Sequence, residues 1–197
     1  MPRLWDDTIE EHRRSVREAT LDTAAALVAE RGVRAVTMSE IAQKTGIGRA
    51  TLYKYFPDVE SILAAWHQRQ ISQHLAQLNQ VRDSPGTPIQ RLEAVLTAYA
   101  HIQRQRTRHH QHHPHGRELS VLLHSDDQVA KAQHELHNIV KDLVEQAALA
   151  GAIRDDISTI ELTGYCIHAL EAAGHAPSDK AVTRLVSLTL AGMRAEP

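Results

Sequence analysis

The sequence predicts an all-α protein, and three observations predict it. Val, Ile and Thr never gather into alternating runs, and no Asn-Gly or Asp-Gly hairpin turn occurs. Apolar residues recur at helical spacing in almost every segment. Helix-starting and helix-stopping residues punctuate the chain between those segments. A length of 197 residues, 42% hydrophobic and 23% charged, suits one or two compact units with a real core.

The elements follow in order. From Glu10 to Arg31, Val16, Thr20, Ala24, Leu27 and Val28 form a stripe that Gly32 stops. Thr37-Met38-Ser39-Glu40 reads as a capping box, the Thr37 hydroxyl accepting from the Glu40 amide while the Glu40 side chain reaches back. This short helix ends at Gly46, and the next runs from about Gly48 to Tyr55, before Phe56-Pro57. Asp58 caps a long amphipathic helix carrying Ile62, Leu63, Trp66, Leu75 and Leu78. Asp83-Ser84-Pro85-Gly86-Thr87-Pro88 is the clearest break. A helix marked by Ile89, Leu92, Val95, Leu96, Tyr99 and Ile102 comes next, then a His-rich segment that Pro114 and Gly116 make discontinuous, then a short stretch over 118–124. Ser125 to Gln128 opens a helix through Val129, Leu136, Ile139, Val140, Leu143 and Ala147, closed by Gly151. The last two helices span about Asp156–Ala173 and Ser178–Met193. In the first of them, Ile160, Gly164 and Ile167 lie on one side and Leu162, Tyr165 and Ala169 on another. Two apolar faces predict burial against the chain's own body and against a second subunit.

Composition excludes several classes. The single cysteine, Cys166, allows no internal disulfide. No apolar run reaches the ~18–20 residues that span a bilayer, and the start, acidic within seven residues, does not read as a secretory signal. The cytoplasm is the expected location, with no membrane partner. No Gly-x-Ser-x-Gly elbow, phosphate-cradling Gly loop or His-Glu-x-x-His pair is present, so no enzyme is expected, nor a cofactor. Net charge is −2, and the first sixty residues hold nine Lys/Arg against ten Asp/Glu, so any nucleic-acid surface must be local. Two segments have that bias. Lys44, Arg49 and Lys54 stand between Glu40 and Asp58 with no acid; Arg104, Arg106, Arg108 and Arg117 stand with six histidines between His101 and Arg117.

The stretch from Met38 to Phe56 has the spacing of a helix-turn-helix. Ala42 is the small residue where two helices cross, and Gly46, four positions later, tolerates positive φ in the turn. Ile47 follows the turn, and Leu52 and Tyr55 are the inner anchors, with Ile41 opposite. The outer face is then Gly48, Arg49, Thr51, Tyr53 and Lys54, whose charge, hydroxyls and ring suit base edges and phosphates in a major groove. Taken singly, Tyr53 fits ordinary packing and Arg49 a solvated charge; the complete spacing favours DNA.

In Ala29-Glu30-Arg31-Gly32, Thr37 to Ala42, Gly46 to Phe56 and Ile62-Leu63 the chain resembles the tetracycline-repressor (TetR) family, over about Glu18 to Leu63. The resemblance implies a three-helix DNA-binding domain over 1–57 and a helical ligand-binding and dimerisation domain over 58–197. It further implies a homodimer joined through the last two helices, which binds a double-stranded operator, regulates transcription as a repressor and is released by a small-molecule effector. Carried over by position, Thr37 and Tyr53 contact phosphate, while Arg49, Thr51 and Lys54 lie nearest base edges or flanking phosphate. Two departures stand out. Gly48 occupies a position where members often have a hydroxyl, although Gly is an acceptable N-cap. Val59 follows Asp58 where a basic residue is common, so that phosphate clamp is not carried over and weaker non-specific binding follows.

By the same analogy an effector pocket lies among the helices from Asp58 to Gly151, with Trp66, Tyr99, His101, His124 and His134 as polar-tipped candidates to line it. Each suits a satisfied core or surface residue better than a ligand contact, and no chemical class of effector is legible. The cluster His109, His110, His112, His113 and His115 offers the alternative of a metal-responsive regulator, since neutral imidazole binds zinc, copper and nickel. His134 and His137 share a helix face three apart. A solvated His-rich loop is the competing reading.

Overall fold

The computed structural model describes the backbone of residues 3–112 and 127–194, and side-chain surroundings for 10–108 and 128–194. Among the described residues the regular structure is helical: α1 (Arg3–Arg31), α2 (Met38–Thr45), α3 (Arg49–Tyr55), α4 (Val59–Arg82), α5 (Pro88–His112), α6 (Asp127–Leu149), α7 (Thr159–Glu171) and α8 (Asp179–Ala191). Short 3-10 turns occupy Val33–Ala35 and Ala172–His175. None of these helices is long and apolar enough to cross a membrane.

The chain divides into two compact units, one built on Met1–Gln70 and the other on Ile71–His109 with Asp126–Pro197. The first has its own core. Leu21, Ala24, Leu27 and Val28 of α1 meet Ile41 and Ala42 of α2, Leu52 of α3, Phe56, and Val59, Ile62 and Leu63 of α4. Arg69 of α4 ties this core to α1 by donating to both Glu18 and Asp22.

In the second unit Leu78 of α4, Leu92, Leu96 and Tyr99 of α5, Val140 and Leu143 of α6, Cys166 and Leu170 of α7, and Val182 and Val186 of α8 enclose another core. Two positions depart from expectation here. Arg104 continues the Leu92–Leu96–Ala100 stripe of α5 and is 6% exposed. Its Nε donates to the Ala176 carbonyl at 3.0 Å, Nη2 to the Pro177 carbonyl at 3.3 Å, and Nη1 to Asp179. Arg104 therefore belongs to the interior, not to an exposed basic segment. Tyr165 is 42% exposed and faces away from the core; Leu162, Cys166 and Leu170 are the inner face of α7. Ile160 at 63% and Leu188 at 67% exposure leave α7 and α8 each with an uncovered apolar residue, as two-faced helices should.

Candidate nucleic-acid interface

Local chemistry builds the corner that carries the site. The Thr37 hydroxyl accepts from the Glu40 amide at 3.3 Å and starts α2. Its carboxylate partner does something else. Glu40 accepts from Arg31 Nη2 at 2.5 Å, so only half of the expected capping box forms. The end of α2 is a Schellman motif. Gly46 sits at φ +71°, its N–H reaches back to the Gln43 carbonyl at 3.3 Å, and the Ile47 N–H reaches the Ala42 carbonyl at 3.1 Å. Thr45 Oγ1 donates back to the Ile41 carbonyl at 2.7 Å, within the last turn.

Gly48 then caps α3 from an extended conformation, with no side chain to help. Seven residues are too few for a helix to persist alone, so packing must hold α3. Leu52 is fully buried, and Phe56 is 6% exposed. Tyr55, expected as the second anchor, is instead 40% exposed. The helix stops at Tyr55, Phe56 turns extended at φ −141°, and this change of conformation swings the Phe56 ring inward in its place. Asp58 completes the frame by accepting from the Ser61 amide at 2.7 Å at the start of α4. Val59 is 7% exposed and joins the core, which explains how an apolar residue stands where the resemblance leads one to expect a cation.

The face left over is the one the sequence predicts. Thr37, Gly48, Arg49, Thr51, Tyr53 and Lys54 are all exposed. The Arg49 guanidinium carbon lies 5.8 Å from the Tyr53 ring centre, one turn along the helix. Stacking in this way restricts the long side chain while its in-plane N–H donors stay free for a bidentate acceptor such as guanine O6/N7 or a phosphate. With Glu40 paired to Arg31, the Lys44, Arg49 and Lys54 charges dominate this side.

The other candidates are scattered. Trp66 packs, partly buried, against the first unit's core. Tyr99 is buried in the second, where its hydroxyl accepts from Gln103 Nε2. Burial pushes the Tyr99 pKa up, with the Gln103 bond opposing. His101 is half-buried, its Nδ1 3.8 Å from an Asp179 carboxylate oxygen. His134 is exposed and lines an open recess of about 470 Å³ with Ala130, Lys131, Glu135 and Asn138. The side chains of His109, His110, His112, His113, His115 and His124 lie outside the described residues. Among the described residues no three His, Cys, Asp or Glu gather as a metal site.

Residues 21–66 match the pattern of bacterial regulatory proteins of the tetR family. Residues 92–195 match the C-terminal domain of SbtR-like transcriptional regulators. The chain belongs to the tetR family. The family is one of bacterial transcriptional regulators. The HTH-type transcriptional repressor KstR2 of Mycobacterium tuberculosis is 33% identical over 84 residues, which is 43% of this chain and 42% of KstR2. The match thus covers less than half the length of that relative. Among solved structures, a TetR/AcrR-family regulator from Thermobifida fusca superimposes with a TM-score of 0.72 at 20% identity, over 91% of this chain and 98% of that one. FadR from Bacillus subtilis, solved in complex with stearoyl-CoA, gives a TM-score of 0.61 at 16% identity, over 90% and 99%. At such identities the structural likeness establishes the tetR-family fold alone.

Sequence reasoning missed Arg17 and Arg69, and it placed Arg104 in an exposed basic segment. Each sits where a helix's apolar stripe continues: Arg17 ahead of Leu21 and Ala24, Arg69 after Ile62 and Trp66, Arg104 after Ala100. That register was the available signal.

Proposed function

We propose that the chain is a homodimeric repressor that holds an operator through the exposed face of α3 and leaves it when a small molecule binds. The supporting observation is that face itself, with Arg49 stacked on Tyr53 beside exposed Thr51 and Lys54. In this reading Thr37 and Tyr53 engage phosphates, the Gly48 amide end of α3 approaches the backbone, and Arg49, Thr51 and Lys54 face base edges or flanking phosphate. The division of labour is the sequence-based one: DNA binding over 1–57, effector binding and dimerisation over 58–197.

The dimer forms through α7 and α8, whose outward Ile160 and Leu188 gain a cover. Two subunits then present their α3 helices about one DNA turn apart, roughly 34 Å. The effector binds among the helices of the second domain, and Trp66, Tyr99, His101, His124 and His134 are the positions whose substitution locates its site. An effector with higher affinity for the state that does not fit DNA shifts the population and releases the operator. α4 contributes Ile62 to one core and Leu78 to the other, and in this reading it is the helix that carries the shift. The cytoplasm, where the operator is, is the site of action.

Selection from a random duplex pool tests the assignment. Enrichment of an inverted repeat is expected, and Arg49→Ala should relax preference at particular base pairs by about 1–3 kcal/mol. No enrichment over many rounds, with a folded protein, would refute it. Stearoyl-CoA, the ligand of FadR in its solved structure, is the first effector to titrate against the selected DNA.

A further inference from the structure

A second helix also brings a cation near α3. Arg17 belongs to α1, on the same face as Leu21, Ala24 and Val28, one turn before that stripe becomes buried. The stripe packs into the first core, so Arg17 is carried to the rim of that core. Its guanidinium carbon lies 5.7 Å from the centre of the Phe56 ring, and Phe56 is the residue that follows α3. Arg17 is nevertheless exposed. A fixed positive charge thus stands at the end of the recognition helix, supplied by a different element.

The neighbouring acids do not cancel it. Glu18 and Asp22, the nearest acids along α1, both accept from Arg69. The Asp58 carboxylate is engaged with the Ser61 amide at 2.7 Å, at the positive end of α4. Among the described residues Arg17 has the Phe56 ring as its contact and no ion pair. Val59, where a cation could have followed Asp58, is buried.

We propose that Arg17 is an additional DNA-phosphate contact, presented by the Phe56 ring beside the end of α3 and taking the place of a cation at the start of α4. This rests on the DNA-binding reading above. A guanidinium lying over a ring keeps its in-plane N–H donors pointing outward, which suits two oxygens of one phosphate. Standing beyond the end of α3 and not along its length, Arg17 meets the DNA backbone, so it contributes affinity and salt dependence without reading sequence.

The test uses the full chain and the duplex enriched in the pool selection, with affinity measured by fluorescence anisotropy across about 50 to 200 mM salt. Arg17→Met keeps the stem over Phe56 and removes the charge. Its plot of log affinity against log salt should become shallower by about 0.9 for each Arg17 removed, close to a 3.5-fold smaller loss of affinity per contact over that range. Preference among base pairs should not change. Arg17→Lys should retain the wild-type slope. Circular dichroism of both variants verifies that they are folded, and either stem-preserving change keeps the comparison usable if Arg17→Ala does not fold. Wild-type slope and affinity in Arg17→Met would make Arg17 a packing residue and overturn the proposal. A changed base preference would make it a reader of sequence, overturning it in another way. A wild-type chain that enriches no duplex would remove the DNA-binding reading itself, a failure distinct from both.

Discussion

Gly46 and Gly151 form a matched pair that isolates the cost and the use of one backbone conformation. Gly46 has φ +71° and Gly151 φ +66°. Each ends a helix with the same pair of bonds. Gly46 and Ile47 reach Gln43 and Ala42, and Gly151 and Ala152 reach the Ala148 and Ala147 carbonyls at 2.9 Å each. A Cβ placed on either glycine meets nothing within 4 Å, so an alanine there has room and only the backbone objects. Left-handed φ costs an L-residue roughly 1–2 kcal/mol. Removing glycine's extra freedom from the unfolded chain returns about 0.4–1 kcal/mol. The net expectation for Gly46→Ala and for Gly151→Ala is a loss of about 1 kcal/mol each. With urea m-values of about 1–3 kcal/mol/M, the midpoint of the affected transition falls by roughly 0.3–1 M. Asn at either position, which tolerates this region better, should recover part of the loss. The functional consequences diverge. Relaxing φ at 46 reorients α3, so Gly46→Ala should weaken operator affinity by more than its share of unfolded protein, whereas Gly151→Ala should leave the affinity of the folded fraction unchanged. A midpoint that rises in either variant would refute the strain argument. Equal losses of DNA affinity in both would refute the claim that the Gly46 corner is what aims α3.

Other consequences are as direct. Arg104→Ala should destabilise the second unit by roughly 2–3 kcal/mol in thermal unfolding, because it strips a charged donor from two carbonyls and leaves them unpaired; Asp179→Asn should cost much less, since that carboxylate is 77% exposed and water can replace its partner. Cys166 is fully buried and its thiol is pushed up to about 12 by burial, so iodoacetamide should label it only after unfolding; fast labelling of native protein at about pH 8 would contradict the packing. The His74 pKa is lowered, by burial first and by the nearby Arg106 charge second. The unfolded chain therefore binds a proton below about pH 6.5 that the folded chain resists, and stability falls as pH drops below that value. His74→Gln should flatten this part of the stability curve relative to the wild type, and an unchanged slope would show that His74 titrates alike in both states.

Helix boundaries were legible because short-range rules set them. Thr37 and Ser178 both accept from the amide three residues on, and the glycines at 46 and 151 stop helices by the φ they adopt. Such signals need only four or five consecutive residues, so one sequence is enough. Glu40 shows the limit. Its amide obeys the local rule, but its carboxylate had two competing partners, the Thr37 amide and the Arg31 guanidinium nine residues away, and the charged one prevails at 2.5 Å. Only the fold brings Arg31 within reach.

The same distinction decides the anchors and the arginines. Helical periodicity allows either Tyr55 or Phe56 to follow Leu52 inward, at three or four residues' spacing. Which one does so depends on where the helix stops, and Pro57 makes the preceding residue extended. A pattern that assumes one uniform helix cannot register that exchange, although the proline is in the sequence. Arg17, Arg69 and Arg104 are harder, because a charge on an apolar stripe has opposite meanings according to what closes over it. Arg69 meets two carboxylates of α1, Arg104 meets carbonyls before α8, and Arg17 meets the face of a ring. The first two are thereby consumed in holding each core together. Arg17 alone of the three keeps its hydrogen-bond donors unspent. This makes it the one of these three arginines whose removal should register in the salt dependence of DNA binding.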